Sequence, residues 1–287
     1  MMMPQLFLLL VQLFVVSVLP IDGKCGYDAL PSGGIPTSRI LNAETSQRCQ
    51  WPWMVSVRRT GTKDMCAGVL VGEDKVLTTA RCSAALERLG GQFEVVIGEN
   101  NIEVEDEEDG LGNPTETIVP VTSMTQHPEY DGICISNDIA VVRLAKAVEY
   151  GECALPACVT NTRGTDENCD DYIEECVMAG WGKYKAVGAE KSPNLRWAFT
   201  EMLGPEVCSA IYRYGDNSTL PENIFCLDES KNKQTACLGD EGGMVICNLK
   251  GKWVLKGLIS LTSCGDSLPS LAVDIASSTI NDFVSRN

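Results

Sequence analysis

Cys237-Leu-Gly-Asp-Glu-Gly-Gly-Met-Val-Ile-Cys247 sets an acidic, glycine-rich pentapeptide against an apolar run, with a cysteine at each end. Taken alone, the pentapeptide reads as a polar turn, because Gly and Asp supply the backbone conformations that turns need. The chain on either side gives that turn its setting. Trp51-Pro-Trp-Met-Val-Ser-Val57, Cys66-Ala-Gly-Val-Leu-Val71, Phe93-Glu-Val-Val-Ile97 and Ile139-Ala-Val-Val-Arg-Leu144 are short alternating or wholly apolar runs, separated by Gly, Asn, Asp and Pro. Such runs suit strands of a β-barrel protein, since helices need longer periodic stretches. Only the tail, residues 278–285, sets Ile280, Phe283 and Val284 at helical spacing behind a serine cap. The expectation is an all-β chain with one C-terminal helix.

With 287 residues the chain is long enough for an ample core, and all-β barrels of this size often form one unit. Residues 1 to about 20 form an apolar run ahead of Pro20 and Gly23 that is short for a membrane span and has no stop-transfer flank. It reads as a secretory signal within residues 1–23, and cleavage after Ser17 or Gly23 satisfies the small-residue rule. Fourteen cysteines, an even number, then read as disulfides. No Cys-x-x-Cys pair occurs and His127 is the only histidine, which argues against zinc. A net charge of −16 and a sequence pI near 4.5 argue against nucleic acid and anionic membrane as partners.

Several motifs in order carry a family resemblance over about residues 39–287. Gly239-Asp-Glu-Gly-Gly243 resembles the Gly-Asp-Ser-Gly-Gly nucleophile loop of trypsin-like serine peptidases, with Glu241 in the serine's place. Val76-Leu-Thr-Thr-Ala-Arg-Cys82 resembles the segment that carries the general-base histidine, with Arg81 in its place, and Asn137-Asp-Ile-Ala140 resembles the aspartate motif, with Asp138 retained. The resemblance implies two six-stranded antiparallel β-barrels of trypsin-like type and a C-terminal helix. It also implies a degenerate triad. Arginine stays protonated and cannot take a nucleophile's proton, and a carboxylate at 241 cannot form an acyl-enzyme. Its charge would sit where the backbone N–H groups of Gly239 and Glu241 stabilise an oxyanion in the family. Because base and nucleophile positions touch in the family, an Arg81–Glu241 ion pair flanked by Asp138 is expected. His127, 11 residues before Asp138, reads as a surface-loop residue that makes a local hydrogen bond.

The same resemblance assigns further positions. Residues 24–39 would be a short pro-segment and 40–287 the peptidase-like domain, with Arg39-Ile40 as the activation bond and Asp240 as the partner of the freed Ile40 amine. Ile40 lies 26 residues before Cys66, the family's spacing, although the Val-Gly-Gly that follows the new terminus there is Leu41-Asn42-Ala43 here; an ordinary linker arginine is the other reading. Thr235, at the pocket base, offers no acid to select Arg or Lys. Ser260, Leu261 and Thr262 form the wall, and Ser270 replaces a pocket-opening glycine, so a narrowed or blocked pocket is expected. Family pairing gives Cys25–Cys158, Cys66–Cys82, Cys176–Cys247, Cys208–Cys226 and Cys237–Cys264. Cys49, Cys134, Cys153 and Cys169 are left with three connectivities.

Residues 98–109 resemble the calcium loop of trypsin, in which Glu99, Asp106 and Asp109 would supply carboxylates and Asn101 and Val104 carbonyls. A solvated acidic loop is the competing reading. Asn217-Ser-Thr219 fits the N-glycosylation pattern. No cofactor is required by any of these features. The resemblance extends to arthropod serine peptidase homologues that have lost catalytic residues and act as cofactors or decoys in cascades of immunity, clotting and venom. The expected function is therefore that of a secreted pseudopeptidase, not an enzyme, that binds extracellular proteins such as a peptidase, an inhibitor or a prophenoloxidase-type zymogen. A hydrolase of divergent mechanism and a microbe- or carbohydrate-binding module are the alternatives.

Overall fold

The computed structural model describes residues 25–26, 43–63, 65–104, 116–132, 135–159, 173–183, 191–212, 220–228, 235–249, 251–264 and 268–287. The expected signal, the expected pro-segment apart from Cys25 and Gly26, the Arg39-Ile40 bond, Cys134, Cys169, Asp106, Asp109 and Asn217 lie outside them.

Six antiparallel strands close the first barrel: β2 (Met54–Arg59), β3 (Met65–Gly72), β4 (Lys75–Thr78), β5 (Phe93–Ile97), β6 (Thr117–Gln126) and β7 (Ala140–Leu144). Around the barrel they run β2-β3-β4-β7-β6-β5, and β5 returns to β2 with Val55 opposite Ile97. Closure leaves no unpaired sheet edge. The second barrel is formed by β9 (Ile173–Gly180), β10 (Arg196–Leu203), β11 (Ile224–Asp228), β12 (Met244–Leu249), β13 (Trp253–Leu261) and β14 (Leu271–Asp274). Pairing runs β10-β11-β14-β13-β12-β9, and the β9–β10 ladder, with Trp197 opposite Ala179, shuts the ring. Two short strands attach outside it: β1 (Glu44–Thr45) on β10 and β8 (Cys158–Val159) on β13. The expected pair of six-stranded barrels is the observed fold.

The barrels meet across aromatic rings. Trp51, just ahead of β2, packs edge-on against Trp253 at 5.3 Å and Trp197 at 5.6 Å, both from the second barrel. The Trp53 indole N–H points at the Met244 sulfur, 3.1 Å away, across the same junction. Rings of this size bury large apolar areas and favour such edge-to-face contacts, so the junction is core rather than a loose interface.

Three helices occur among the described residues, two more than the sequence led us to expect. α1 (Ala80–Leu89) follows β4 directly: the Thr79 hydroxyl caps it by accepting from the Cys82 N–H at 3.2 Å, and Gly90 ends it. Its buried face is Ala80, Cys82, Ser83 and Leu86, and small polar residues on that face blunt the apolar periodicity. α2 (Pro205–Ile211) has only seven residues, too few to show a period. The C-terminal helix α3 (Ser278–Arg286) buries Ile280, Phe283 and Val284 as expected; its cap position is Ser277, whose hydroxyl donates to the Asp274 carbonyl instead of to the helix. α3 docks on the first barrel through Lys75 Nζ, which donates to the Val284 carbonyl at 2.8 Å.

Among the described residues six disulfides join Cys25–Cys158, Cys49–Cys153, Cys66–Cys82, Cys176–Cys247, Cys208–Cys226 and Cys237–Cys264. The second of these chooses among the connectivities that the sequence left open. The Cys25 end is also held by its backbone: the Gly26 N–H donates to Pro156 O at 2.9 Å, and Gly26 O accepts from the Trp253 N–H at 2.8 Å.

Candidate functional site

Arg81, Asp138 and Glu241 come together where the barrels face each other. Arg81 enters from the first turn of α1, Asp138 from the loop before β7, and Glu241 from the turn before β12. The Cys82 sulfur, bonded to Cys66, lies 3.6 Å from the Glu241 carbonyl oxygen and so ties the α1 end to the 237–247 loop.

Asp138 is fully buried. Asn137 before it adopts a left-handed φ of 57°, a conformation that asparagine tolerates better than most residues, and its side-chain oxygen accepts from Asn223 Nδ2 at 2.7 Å. Turned inward this way, Asp138 Oδ1 accepts from the Arg81 backbone N–H at 2.7 Å and Oδ2 from the Ser260 hydroxyl at 2.6 Å. Burial raises the Asp138 pKa; the Ser260 hydroxyl, the Arg81 and Ala80 amides and the Arg81 charge work against that rise. The aspartate is thus held by the helix backbone, not by an imidazole.

The guanidinium of Arg81 turns to Tyr130. Burial raises the phenol's pKa, with the nearby Asp138 charge adding to the rise, and Arg81's charge and hydrogen bond lower it. Arg81 itself is half-buried.

Glu241 does something else with its charge. Its Oε2 accepts from the Gly239 N–H at 2.7 Å, and its Oε1 lies 3.4 Å from the Thr262 hydroxyl. The expected Arg81–Glu241 ion pair is therefore not formed. The physical reason is local: a backbone amide two residues away holds the carboxylate without the cost of ordering two long side chains. Gly239 makes this turn with φ 103°, and a Cβ there would meet Lys191 Cε at 2.9 Å. The stem of Lys191 therefore covers the loop.

Asp240 points the other way, into the second barrel. Its Oδ1 accepts from the Gly182 N–H at 2.6 Å and its Oδ2 from the Cys237 N–H at 2.9 Å. Its carboxylate is wedged against Gly180 and Gly182, where any side chain would collide with it. Although part of the residue reaches the surface, the carboxylate is enclosed. Burial pushes its pKa up to about 6, opposed by the two amides and by Lys191 and reinforced by the Glu241 charge.

The expected pocket residues divide: Ser260 and Thr262 turn to Asp138 and Glu241, while Thr235 and Ser270 meet at Ser263. The Thr235 and Ser263 hydroxyls are 3.0 Å apart, and the buried Ser270 hydroxyl accepts from the Ser263 N–H at 3.0 Å. Leu261 ends β13 beside Thr262, half-buried like it. Sequence reasoning did not single out Ser263, Tyr130, Lys191 or Leu238. Tyr130 lies three residues after His127 and Ser263 follows the wall residues, so both stood close to positions already marked; Lys191 comes close only through the fold.

His127 is buried against α3, with its ring centroid 4.9 Å from that of Phe283. Its Nδ1 accepts from the Glu129 N–H at 3.2 Å, and burial lowers its pKa. The local hydrogen bond is as expected, but the ring sits in a packed site.

Three of the five expected calcium ligands are described. Glu99 is buried with its Oε2 3.4 Å from the Ser56 hydroxyl, and Asn101 O accepts from the Val104 N–H at 3.2 Å. A carbonyl has a second lone pair, so Asn101 O keeps an acceptor site of the kind a hard cation takes. Among the described residues no group of three His, Cys, Asp or Glu side chains is placed to hold a metal. Nor is any helix there long and apolar enough to cross a membrane.

Residues 40–284 match the Trypsin family. The chain belongs to the trypsin family. A solved structure described as neuropsin, a serine protease expressed in the limbic system of mouse brain, superposes on this trypsin-family chain with a TM-score of 0.68. The two are 23% identical, and the match covers 86% of this chain and 100% of that one, a likeness of fold.

Proposed function

We propose that this trypsin-family chain is a secreted, catalytically inert homologue that acts by protein binding, as cofactor, decoy or regulator in an extracellular proteolytic cascade. The observation that carries the reading is the state of the two reactive positions. Acyl transfer needs a nucleophile, a base that accepts its proton and free amides for the oxyanion. Here Arg81 has no lone pair to offer, and the Glu241 carboxylate already holds the Gly239 amide. Asp138, the member kept, is engaged with backbone and Ser260. The Thr235–Ser263–Ser270 hydroxyl cluster supports the companion reading that the specificity pocket is filled at its base.

Twelve cysteines in six disulfides and the apolar leader at residues 1–23 support export. Cleavage after Arg39 would free an Ile40 amine for the Asp240 carboxylate, and calcium would be held by Glu99, Asn101, Val104, Asp106 and Asp109. Neither step needs a catalytic residue, so loop switching could persist without hydrolysis.

The test uses the secreted chain, intact and after trypsin cleavage at Arg39. Both forms are exposed to a fluorophosphonate probe and a broad peptide-substrate panel, next to the Arg81→His/Glu241→Ser double variant. No labelling and no turnover by the native chain is expected. Turnover that co-purifies with the protein would mean that this family member is a peptidase of divergent mechanism.

A further inference from the structure

We infer that the site between the barrels binds a single carboxylate of a partner protein, received by the Arg81 guanidinium. This rests on the binding role proposed above and names the chemistry of what is bound.

The charges at the site are unevenly satisfied. Asp138 has its charge met by the Arg81 amide at 2.7 Å and the Ser260 hydroxyl at 2.6 Å, and Glu241 has the Gly239 amide at 2.7 Å. Both acids are thus held by neutral donors built into the loop and helix. Among the described residues, the Arg81 side chain has the Tyr130 phenol as its hydrogen-bond partner and the longer-range field of Asp138. A guanidinium carries five N–H donors in a planar fork, so most of its hydrogen-bonding capacity is unspent, and Arg81 is half-exposed. A planar, bidentate acceptor is what such a fork selects.

Two classes of ligand fit that fork, carboxylates and phosphates. The surroundings favour the first, because Asp138 and Glu241 stand close by and the whole chain carries a net charge of −16, which penalises a dianion more than a monoanion. Three residues before Glu241 in the same loop, Leu238 is 55% exposed. Its backbone is fixed on both sides: its N–H meets the Cys264 sulfur at 3.3 Å, and its carbonyl accepts from the Lys183 N–H at 3.0 Å. The leucine side chain therefore stands out as a fixed apolar contact. A partner segment that carries a carboxylate and an apolar residue satisfies both features. The carboxylate can come from an acidic side chain or from a chain terminus.

Fluorescence anisotropy on the full secreted chain separates these sources and tests the inference. Three labelled peptides are compared: Ala-Leu-Glu with a C-terminal amide, Ala-Leu-Gln with a C-terminal amide, and Ala-Leu-Gln with a free carboxylate. At least one carboxylate peptide should bind about tenfold or more tightly than the uncharged amide, as a charge-assisted bidentate pair provides, and its affinity should fall with added salt. Arg81→Gln should erase the difference, and Arg81→Lys should retain part of it. Tyr130→Phe should keep most of it, so a folding defect in one variant would not hide the result. Equal binding of all three peptides, no binding of any, or a preference that survives Arg81→Gln overturns the inference. Those outcomes leave the inert-homologue reading standing, whereas fluorophosphonate labelling would overturn that reading whatever the peptides do.

Discussion

The carboxylate of Glu241 accepts the Gly239 amide at 2.7 Å and leaves Arg81 to Tyr130, so the two altered positions of the site are occupied separately. Side chains with separate partners contribute separately to stability. In an Arg81→Ala, Glu241→Ala double-mutant cycle followed by urea unfolding, the coupling energy should stay below about 0.5 kcal/mol. A coupling above about 1 kcal/mol would mean that the two charges pair in solution.

Gly239 carries the turn that makes this arrangement. With φ at 103° and the Gly182 Cα, backbone that cannot swing aside as the Lys191 stem can, 3.1 Å from where a Cβ would stand, Gly239→Ala should destabilise the chain by about 1–3 kcal/mol. Gly251, also at positive φ but with open space around it, is the control: alanine there meets only the backbone term and should cost less. Equal losses at the two sites would show that the Gly182 backbone does not press on the Gly239 turn.

Asp240 gives the chain a pH signature. Its pKa is about 6 in the fold and near 3.8 when unfolded, so between those values the folded state binds the extra proton. Stability from this group is therefore greatest below about pH 4, falls as pH rises to about 6, and is flat above; the span is about 3 kcal/mol. Asp138, raised by burial as well, acts in the same direction. Thermal melts from pH 4 to 7 should show this fall in the native chain and a shallower one in Asp240→Asn. After cleavage at Arg39, an Ile40 ammonium paired with Asp240 would draw its pKa down and remove the slope. A slope unchanged by both cleavage and substitution would contradict these roles for Asp240.

Calcium provides a further test. At one hundred times its dissociation constant a ligand of the folded state adds about 2.7 kcal/mol, enough to raise the melting temperature by several degrees. That rise should vanish in Glu99→Gln, which removes the buried carboxylate of the proposed set. A native chain whose melting is indifferent to millimolar calcium would make residues 98–109 a solvated acidic loop.

Much of the architecture was legible because strand periods and cysteine spacing act locally. The runs at 51–57, 66–71, 93–97 and 139–144 read as strands and supply β2, β3, β5 and β7 of the first barrel, although Trp51, Pro52, Trp53 and Ile139 lie just ahead of their strands. α1 was hidden because its inner face mixes Cys82 and Ser83 with Leu86, and its start depends on a Thr79 cap and on Asp138, 57 residues away. The site was legible as a list of residues but not as a set of contacts. Which partner Arg81 or Glu241 takes depends on loop geometry: the positive φ of Gly239 and the inward turn of Asn137 decide where the charges point. Charge complementarity alone suggests the pair that does not form.

The tryptophans make the barrel junction directly visible to spectroscopy. All five in the chain are buried, and Trp51, Trp53, Trp197 and Trp253 share one cluster built from both halves. Their emission therefore reports on whether the halves remain in register, without any attached dye. A partner that pried the barrels apart would shift it to the red, whereas one that merely settled on the outer rim would leave it unchanged.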